Sequence, residues 1–478
     1  MRQGGPGRPR RRRAPDDPRR RPHGRGHGRV SAALVKEALA RARRRGAHAA
    51  DAVLVDDERR EARVRGDEID FVKQARSRTL GLRAFVRAPD GLRVASASTT
   101  DLSAAVVERL VDDTVELAHA TAPDACAGLP EGGFADAFPD LALVRAEDRA
   151  VPLEARIADA RRAESAARGA DPRIVNSEGS EAASSFARVA FGNTEGFLGE
   201  YESARHHVAS SPVAAADGAM QTDFWASAAR ALADLEDAAC VGRRAAERAL
   251  RRLGSRRVKT ARVPVLFEPT TARSLLAHLA ACICGGALYR RTSFLADRLG
   301  ERVASELVTV VDDGRLTGGL ASRPFDGEGL PTRRTTVLER GVLRSWLLDS
   351  YSARKLGMAP TGSAVRSAGS APAASPTNLW IEPGTTSLDA MVRGTERGLL
   401  VTWLFGHGFN PVTGDFSRGA AGLWIEDGRI AFPVHEVTIA GRFGDMLASI
   451  DAVGDELVWL GPIAAPALRI ARMTVAGD

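Results

Sequence analysis

The sequence predicts an α+β protein, in which an N-terminal α/β region of sheets and amphipathic helices precedes a C-terminal, mainly β domain with few helices. Up to about residue 255, segments with helical periodicity alternate with strand-like segments. Beyond that point Gly and turn residues are frequent and the apolar runs become short. The 478 residues exceed what one ordinary hydrophobic core accommodates, so we expect more than one domain.

Composition divides the chain into four predicted segments. Residues 1–29 contain eleven Arg and only two Asp, so this stretch carries more than the whole formal charge of +7 and leaves the remainder at about −2. It cannot bury enough apolar surface to offset chain entropy, and we predict a disordered Arg/Pro/Gly tail. After it we predict an N-terminal α/β subdomain (30–125), a middle α/β subdomain (140–255) and a C-terminal β-rich domain (258–478).

Helix and strand signals alternate through the first 120 residues. Ser31 is a suitable N-cap for the first helix, and Asp101 for the second. Alternating apolar residues before Ala88-Pro89-Asp90-Gly91 predict a β-hairpin around that turn. The predicted elements are a helix over 31–45, strands over 51–55 and 61–65, a hairpin over 79–96 and a helix over 101–120.

The middle of the chain continues the mixture of helices and strands. The predicted elements are helices over 153–168 and 226–253, with short strands over 173–216 between them. The second helix is inferred from a long, Ala- and Arg-rich amphipathic segment that Gly254 ends. A new apolar run opens at 263–267, so we place the main domain boundary at 255–262.

Composition also excludes several classes of protein. No apolar run approaches the roughly 18–20 residues that span a bilayer, and no apolar segment follows the basic N-terminus as in a secretory signal. Four Cys in so long a chain do not form a disulfide scaffold, which favours a cytoplasmic protein. Because the body of the chain is nearly neutral, we expect neither a membrane nor a nucleic acid as its partner.

Motifs for catalysis or metal binding are absent from the sequence. His435-Glu436 is the only His-Glu pair, and no second His completes a zinc motif. Cys282 and Cys284 have no further Cys or His nearby and are interpreted as buried thiols of an apolar helix. The carboxylates at 312–313 and 326–328 stand beside Gly and are typical of turns. We find no Gly-x-Ser-x-Gly elbow and no Walker loop.

Turn-rich polar loops are concentrated in the C-terminal region. Apolar runs at 399–405, 423–425 and 437–439 predict strands there, and the loops lie at 324–329, 349–354, 406–410 and 413–419. Polar loops on a β scaffold are common binding sites, and Gly allows two backbones to approach closely, as when an extended peptide adds to a sheet. The same composition is typical of a fold with many tight turns, so the residues alone leave both interpretations open.

Several motifs follow one another in order along the C-terminal half. They are the stretches 285–294, 324–329, 338–343, 349–356, 398–402, 410–422 and 436–441, together with Asn378. The first begins Gly285-Gly286-Ala287-Leu288-Tyr289-Arg290, and the second is Pro324-Phe325-Asp326-Gly327-Glu328-Gly329. Through these motifs the chain resembles the TldD/PmbA family, specifically its TldE (PmbA) branch. The resemblance spans roughly residues 30–478 and is strongest after residue 255.

The resemblance implies a cytosolic zinc metalloprotease built from two chains. In this family TldD carries a His-Glu-x-x-x-His helix that binds zinc, whereas TldE lacks that motif and completes the substrate cleft. The corresponding helix here is 271–284, in which Leu279 follows His278 and Ile283 stands where the second His would be. The resemblance therefore implies no catalytic residue, metal or cofactor in this chain. It implies zinc in a TldD-like paralogue as the partner, and peptides or unfolded proteins as substrates.

The expected contribution of this chain is one wall of a peptide channel. The wall residues would form hydrogen bonds with an extended peptide and would not transfer protons. The candidates are His407, Asn410, Thr413, Asp415, Ser417 and Arg418. Two other functions stay open at this point. One is a regulatory or nucleic-acid-associated, gyrase-linked protein that uses the basic tail, and the other is a self-sufficient hydrolase that needs no zinc.

Overall fold

The structure of the chain, a computed structural model, describes residues 25–477, with side chains from residue 31 onward. Residues 1–24 of the predicted disordered tail lie outside the described residues. Residues 25–29 form the start of the first helix, which begins at Arg25 and not at the predicted cap, Ser31. Ser31 is instead a buried residue in the interior of this helix.

Within the described residues, which begin at Arg25, the N-terminal half combines four α-helices with seven strands. They are α1 (Arg25–Arg44), β1 (Ala49–Arg65), β2 (Glu68–Ala88), β3 (Gly91–Thr99), α2 (Ala104–Ala120), α3 (Leu153–Arg168), β4 (Ile174–Asn193), β5 (Leu198–Ala216), β6 (Ala219–Thr222), β7 (Trp225–Ala229) and α4 (Ala238–Leu250). Two short 3₁₀ helices, Ala146–Ala150 and Leu232–Asp234, lie in the connections.

The C-terminal half is richer in strands. Its elements are β8 (Ala261–Phe267), α5 (Pro269–Ile283), α6 (Gly285–Tyr289), β9 (Val310–Asp313), β10 (Arg334–Glu339), β11 (Val342–Leu343), α7 (Ser350–Leu356), β12 (Ala364–Val365), β13 (Ala373–Ala374), β14 (Leu379–Ile381), α8 (Leu388–Arg393), β15 (Arg397–Phe405), β16 (Asp415–Glu426), β17 (Arg429–Arg442), α9 (Phe443–Ala448), β18 (Ile450–Val453), β19 (Ile463–Ala464) and β20 (Leu468–Ala476). The predicted α+β class is confirmed. No helix of the described residues is both long and apolar enough to cross a membrane.

One antiparallel sheet organises the whole N-terminal half. Its strand order is β3-β2-β1-β4-β5-β6, and β7 also pairs with β5. The predicted N-terminal and middle subdomains, divided at 125–140, share this sheet. β1 of the first subdomain pairs with β4 of the second over most of its length. The helices cover one face, where Leu54 and Leu82 pack against Val111 of α2. The other face meets the C-terminal half.

A strand ring and a smaller sheet form the C-terminal half. The ring has the order β17-β16-β15-β8-β20, with β18 beyond β20, and a further pairing of β17 with β20 closes it. The smaller sheet has the order β11-β10-β9-β14-β19. Helix α5 packs its apolar side into the core of this half, where Leu275 and Leu279 join Trp424 of the ring. The opposite side of α5 faces the β15–β16 connection, where His278 lies against Phe409.

The predicted helix over 226–253 is wrong in its first half. Residues 225–229 form β7, which pairs with β5, and the helix begins only at Ala238. The Asp237 carboxylate accepts hydrogen bonds from the backbone N–H groups of Ala239 and Cys240, which makes Asp237 the true N-cap. The small residues of 226–231 fit a strand in a crowded sheet as well as they fit a helix, so composition alone misled the assignment.

The strands of the N-terminal sheet are far longer than predicted. β1 continues through the charged stretch at 56–60 that separated two predicted short strands, because Asp56 pairs with Arg76 of β2 at 2.7 Å. β4 and β5 likewise replace the short strands predicted over 173–216. Many of the buried residues in these strands are Ser and Ala, such as Ser180 and Ala182, so the buried face gave a weak apolar signal in the sequence.

Other local predictions agree with the structure. α3 has the predicted bounds, and the turn between β2 and β3 stands where the hairpin was predicted. α2 follows Ser103 as its N-cap, two residues after the predicted Asp101, whose carboxylate instead accepts a hydrogen bond from the Ser103 N–H. The division into domains at 30–125, 140–255 and 258–478 stays a prediction, since the first two segments share one sheet.

A buried ion cluster joins the two halves. Asp51 of β1 is fully buried, and its carboxylate accepts hydrogen bonds from Arg83 of β2 and from Arg366 of the C-terminal half. Burial acts to raise the pKa of Asp51, but the two guanidinium groups hold that pKa below its ordinary value. Arg83 also lies 4.0 Å from the buried Glu328, which extends the cluster into the motif at 324–329.

Replacing Asp51 with Asn tests this cluster. We expect Asp51→Asn to lower the free energy of unfolding by about 3–5 kcal/mol, because two buried guanidinium groups lose their counter-charge. Asp56→Asn on the same strand is the control, since its partner Arg76 is largely exposed and the loss should stay below about 1 kcal/mol. Denaturant unfolding measures both values, and equal effects of the two variants would contradict this account.

Candidate functional site

The six predicted wall residues come together on one hairpin loop. The loop joins β15 to β16, and the last three of the six residues are at the beginning of β16 itself. Five of the six side chains are exposed, and that of Arg418 is half-buried. The exposed ones are those of His407, Asn410, Thr413, Asp415 and Ser417. The structure thus groups these residues on one surface. Their role in binding a peptide stays a prediction.

Three of these side chains also stabilise the loop itself. The Asn410 side-chain oxygen accepts a hydrogen bond from the Val412 N–H at 2.9 Å. The Thr413 hydroxyl donates to the Asp415 carboxylate at 2.6 Å. These are the short-range contacts expected of polar turn residues, so the two turns are built before any ligand arrives. His407 and Ser417 are the wall candidates whose exposed side chains are not used in this way.

The loop rests on α5 through an aromatic cluster. The ring of His278 lies 4.6 Å from that of Phe409, centroid to centroid, and 6.1 and 6.2 Å from those of Phe416 and Phe443. Burial, aided by the nearby Arg418 guanidinium, lowers the pKa of His278 to about 4. His278 is therefore neutral at pH 7 and supports the loop as a packing residue.

Backbone contacts fix the loop on its other sides. The Ser417 N–H donates to the Gly408 carbonyl at 2.7 Å, and a Cβ on Gly408 would lie only 1.6 Å from the Ser417 carbonyl oxygen. Only glycine permits this approach. The Phe294 N–H donates to the Pro411 carbonyl at 2.7 Å. The segment after α6 is therefore tied directly to the loop.

A cavity of about 440 Å³ lies between the N-terminal sheet and the C-terminal half. Its volume falls in the range of small-ligand pockets. Strands β2 and β3, the connection after α2, helices α6 and α7 and the segment around β13 form its walls. It is lined by Arg83, Phe85, Val94, Asp124, Ala127, Gly128, Cys284, Gly286, Ala287, Tyr289, Arg290, Asp349, Tyr351 and residues 371–374.

The sequence reasoning missed this cavity as a site. Residues 286–290 and 349–351 belong to motifs that carry the family resemblance, so a signal was present. The residues from β2 and β3 carry no motif, and they reach the cavity only because the two halves pack together. Predicting them would have required knowing that contact.

Polar contacts hold the cavity walls in place. The Tyr351 hydroxyl donates to the Asp124 carboxylate at 2.6 Å. The Arg354 guanidinium donates to the carbonyl oxygens of Cys126, Gly128 and Leu129 at 2.7, 2.9 and 3.2 Å. Burial raises the pKa of Cys284 to about 12, so this thiol stays protonated and is a poor nucleophile.

The carboxylates noted in the sequence are structural. Asp326 accepts hydrogen bonds from the backbone N–H groups of Glu328, Leu330 and Ala364, as an acidic turn residue does. Asp312 accepts one from the Thr377 N–H at 2.6 Å and one from its hydroxyl at 3.0 Å. Within residues 25–477 no group of three or more His, Cys, Asp or Glu side chains is arranged to hold a metal ion.

A serine, a histidine and an aspartate do approach one another in the N-terminal sheet. The Ser184 hydroxyl lies 2.8 Å from Nδ1 of His206, and Asp148 lies 3.4 Å from Nε2. All three are buried, and burial lowers the pKa of His206 to about 4. Because these three side chains are buried, a peptide bond cannot reach them, and their contacts fit a structural role. They therefore give no support to a self-sufficient hydrolase.

The residues of α5 do not fit a zinc ion. The His278 side chain packs among the rings of Phe409, Phe416 and Phe443. Leu279 is 1% exposed and Ile283 is fully buried, and both belong to the hydrophobic core. Apolar side chains offer no ligand atoms for zinc.

Comparison with known proteins gives the family. Residues 50–118, 146–253 and 260–477 match the first, central and C-terminal domains of the PmbA/TldA metallopeptidases. The chain is 39% identical over 391 residues to the metalloprotease PmbA of Escherichia coli O157:H7, which covers 81% of this chain and 84% of that protein. The chain belongs to the PmbA/TldD family, in its PmbA (TldE) branch. A PmbA homolog of Haemophilus influenzae is 36% identical over 413 residues, covering 86% and 88% of the two chains.

Two solved structures share the fold. A proposed modulator of DNA gyrase from Bacteroides thetaiotaomicron superimposes with a TM-score of 0.86 at 27% identity, covering 93% of this chain and 98% of that one. TldE from Thermococcus kodakarensis superimposes with a TM-score of 0.84 at 22% identity, covering 93% of this chain and all of that one. The second likeness concerns the fold alone.

Asp312 gives this PmbA-family chain a predicted pH dependence. Burial raises the pKa of Asp312 from 3.8 to about 7, so the folded state binds this proton more tightly than the unfolded state. The associated stabilisation is present at low pH and is lost as the pH rises from about 4 through about 7. Between pH 5 and pH 8, the unfolding free energy of the wild type should fall by roughly 2–3 kcal/mol relative to Asp312→Asn. Denaturant unfolding at both pH values checks this, and parallel curves would refute it.

Proposed function

We propose that this chain is the non-catalytic subunit of a heterodimeric zinc metalloprotease that cleaves peptides or unfolded proteins. It would complete the substrate cleft of a TldD-like paralogue, with zinc held by that paralogue and none by this chain. The observation that carries the proposal is α5. At the positions of the family's Glu and second His it has Leu279 and Ile283, both packed into the core.

The relatives support peptide cleavage as the activity of the assembly. Those from Escherichia coli and Haemophilus influenzae are named metalloproteases. A TldD homolog from Buchnera aphidicola is 29% identical to this chain over 168 residues, so chains of the two branches are related. A zinc peptidase needs a metal-bound water and a general base. Since α5 supplies neither, a related second chain would have to supply them.

We assign peptide binding to the β15–β16 loop and the cavity together. Residues 284–290 line the cavity, and a few residues later Phe294 bonds to the loop at Pro411, so one segment links the two surfaces. The exposed side chains of His407 and Ser417 would form hydrogen bonds with an extended peptide. The largely apolar cavity would receive one of its side chains. In this proposal the chain orients the peptide and excludes water, while proton transfer takes place on the partner.

We also propose the cytoplasm as the compartment. None of the four cysteines forms a disulfide: Cys126, Cys240, Cys282 and Cys284 are all free. Free thiols are typical of reducing compartments.

Coexpression with a His-Glu-x-x-x-His paralogue from the same genome tests the proposal. We expect the two chains to copurify, to contain zinc as a pair, and to cleave an unfolded peptide only as a pair. This chain alone should contain no zinc and should not cleave the peptide. Cleavage by this chain alone, or full activity of the paralogue without it, would refute the subunit role.

Single variants of the loop test the peptide wall. In the complex, His407→Ala or Ser417→Ala should raise KM by about 2- to 10-fold with little change in kcat, the loss expected for one hydrogen bond of about 0.5–1.5 kcal/mol. Arg429→Ala is the control, because Arg429 is exposed at the start of β17, at the far end of the β16 strand. Steady-state kinetics measure the change. A KM that moves equally in the control would remove the loop from the wall.

A further inference from the structure

A second cleft, the sheet cleft, opens on the face of the N-terminal sheet that meets the C-terminal half. Its volume is about 450 Å³, and it shares no residue with the first cavity or with the six predicted wall residues. Small side chains of β4 and β7 form its floor, and Leu460 of the C-terminal half lines one side. The floor residues are Ala183, Ser185, Ala226 and Ala228.

The pairing of the strands places long polar side chains around this floor. Arg59 of β1 pairs with Ser185 of β4, which pairs on its other side with Arg205 of β5. Residues directly opposite each other in a sheet project from the same face, so Arg59 and Arg205 flank Ser185 with their Cα atoms roughly 10 Å apart. His207 stands in the next row, between two alanines of the floor. Because the floor side chains are short, the space between these longer ones stays open.

Two of these three side chains have carboxylate partners that hold them in place. Nε of Arg59 lies 2.7 Å from the Glu61 carboxylate, and Nε2 of His207 lies 2.7 Å from that of Glu181. Arg205 differs from both, because within residues 31–477 its guanidinium forms no ion pair and no hydrogen bond. The Arg205 side chain is exposed and lines the cleft, so it is available to bind an anion there.

Further positive charge lies next to Arg205. The guanidinium of Arg273, on α5, extends to the segment that carries Leu460, since a Cβ on Gly461 would lie 3.9 Å from its Nη1 atom. Arg273 likewise forms no ion pair within the described residues, and the buried Arg230 donates to backbone carbonyl oxygens there and not to a carboxylate. Burial, together with the charge of Arg205, lowers the pKa of Arg230 and of Arg273. A bound anion would relieve the repulsion among these three arginines.

A carboxylate lies at the other end of the sheet cleft. Asp57 lines the cleft from β1, and in the described part of the chain its side chain has no ion pair or hydrogen bond. Burial raises the pKa of Asp57, and the neighbouring Arg59 opposes this shift. By the sheet register Asp57 and Arg205 are two strands and two residues apart, with roughly 12 Å between their Cα atoms. The cleft therefore offers an acceptor at one end and a donor at the other.

This arrangement distinguishes among anions. A guanidinium group binds a carboxylate or a phosphate through two parallel N–H···O hydrogen bonds. Asp57 disfavours ligands that are negatively charged along their whole length, such as nucleic acids and polyphosphates, because like charges repel. It favours a ligand that has one carboxylate and, at a distance, an N–H donor. A peptide has both, and roughly 12 Å corresponds to three or four extended residues.

We propose that the sheet cleft binds a peptide, with a carboxylate of the peptide on the Arg205 guanidinium and a backbone N–H group donating to Asp57. Carboxylates stand at the C-terminus of a peptide and on Asp and Glu side chains, and the guanidinium would recognise either source. The inference rests on the proposed function in one respect, namely that this chain binds peptides. It adds a binding site that is separate from the β15–β16 loop and from the first cavity.

Calorimetric titration of the full chain with short peptides tests this site. The probe is acetyl-tetraalanine with a free C-terminal carboxylate, compared with the same peptide ending in an amide. The free acid should bind at least about tenfold more tightly, since only the acid offers Arg205 a charged acceptor. A third peptide, with an amide end and one Glu side chain, distinguishes the sources. If it binds as tightly as the free acid, the site accepts acidic side chains, and if it binds like the amide, the site is specific for chain ends.

Variants of the cleft test the two assigned residues. Arg205→Ala should weaken binding of the free acid at least about tenfold and leave binding of the amide unchanged. Asp57→Ala should weaken binding of both peptides by about 2- to 10-fold, since each loses an acceptor for an N–H group. A cleft that only attracts negative charge would instead bind the free acid more tightly once Asp57 is removed.

Arg109→Ala is the matched control. Arg109 is also exposed and also has no ion pair within the described residues, but it lies on α2, which covers the opposite face of the sheet. This variant should leave the affinities for both peptides unchanged. Circular dichroism and thermal unfolding should show that all three variants are folded.

The proposal is supported by a preference for the free acid that Arg205→Ala abolishes, together with weaker binding by Asp57→Ala. Equal affinity for acid and amide overturns it, as does no binding up to about 10 mM peptide. Tighter binding of inorganic phosphate than of the free acid, or tighter peptide binding by Asp57→Ala, also overturns it. These titrations involve neither zinc nor cleavage, so their failure is distinguishable from failure of the subunit role in the coexpression test.

Discussion

The contact between the two halves of the molecule is organised by one buried carboxylate. Asp51 stands on β1 at the face opposite the helices, and it holds Arg83 and Arg366 at the same point. A lone buried charge is costly, so neither guanidinium would be stable here without Asp51. Arg83 also lines the cavity, and Arg366 leads into the segment 371–374 on its opposite side. The shape of the cavity therefore depends on an ion cluster that is itself inaccessible.

Aromatic packing completes this contact. Phe325, from the motif at 324–329, is 2% exposed and lies against Phe197 and Tyr201 of the N-terminal sheet, with both ring centroids 5.2 Å away. Its neighbours Asp326 and Glu328 are buried, and burial raises the pKa of both. The motif at 324–329 thus serves the assembly of the two halves. The cavity and the β15–β16 loop lie beside it.

Local signals in the sequence predicted the elements that local interactions stabilise. α3 and the β2–β3 turn are examples, since a helical face and a Pro-Asp turn are encoded by neighbouring residues. β7 could not be found in this way, because its strand conformation comes from pairing with β5 and its sequence is also compatible with a helix. The loop residues 407–418 were located by motif. The part of the cavity wall that comes from β2 and β3 could not be, since its position depends on a contact between distant parts of the chain.

The central position of β1 has a consequence for how the chain folds. β1 and β2 are joined by a tight connection and can pair early, as can β4 and β5. Asp51, however, also pairs with Asn193, and the two are separated by α2, α3 and the long connections around them. Contacts between residues so far apart in sequence slow folding, because a large loop must close before they are gained. Until β4 arrives, one edge of β1 has no partner strand, and the apolar residues at its beginning, such as Leu54, are uncovered on that side. A newly synthesised chain should therefore pass through a period in which chaperones, or aggregation, compete with completion of the sheet.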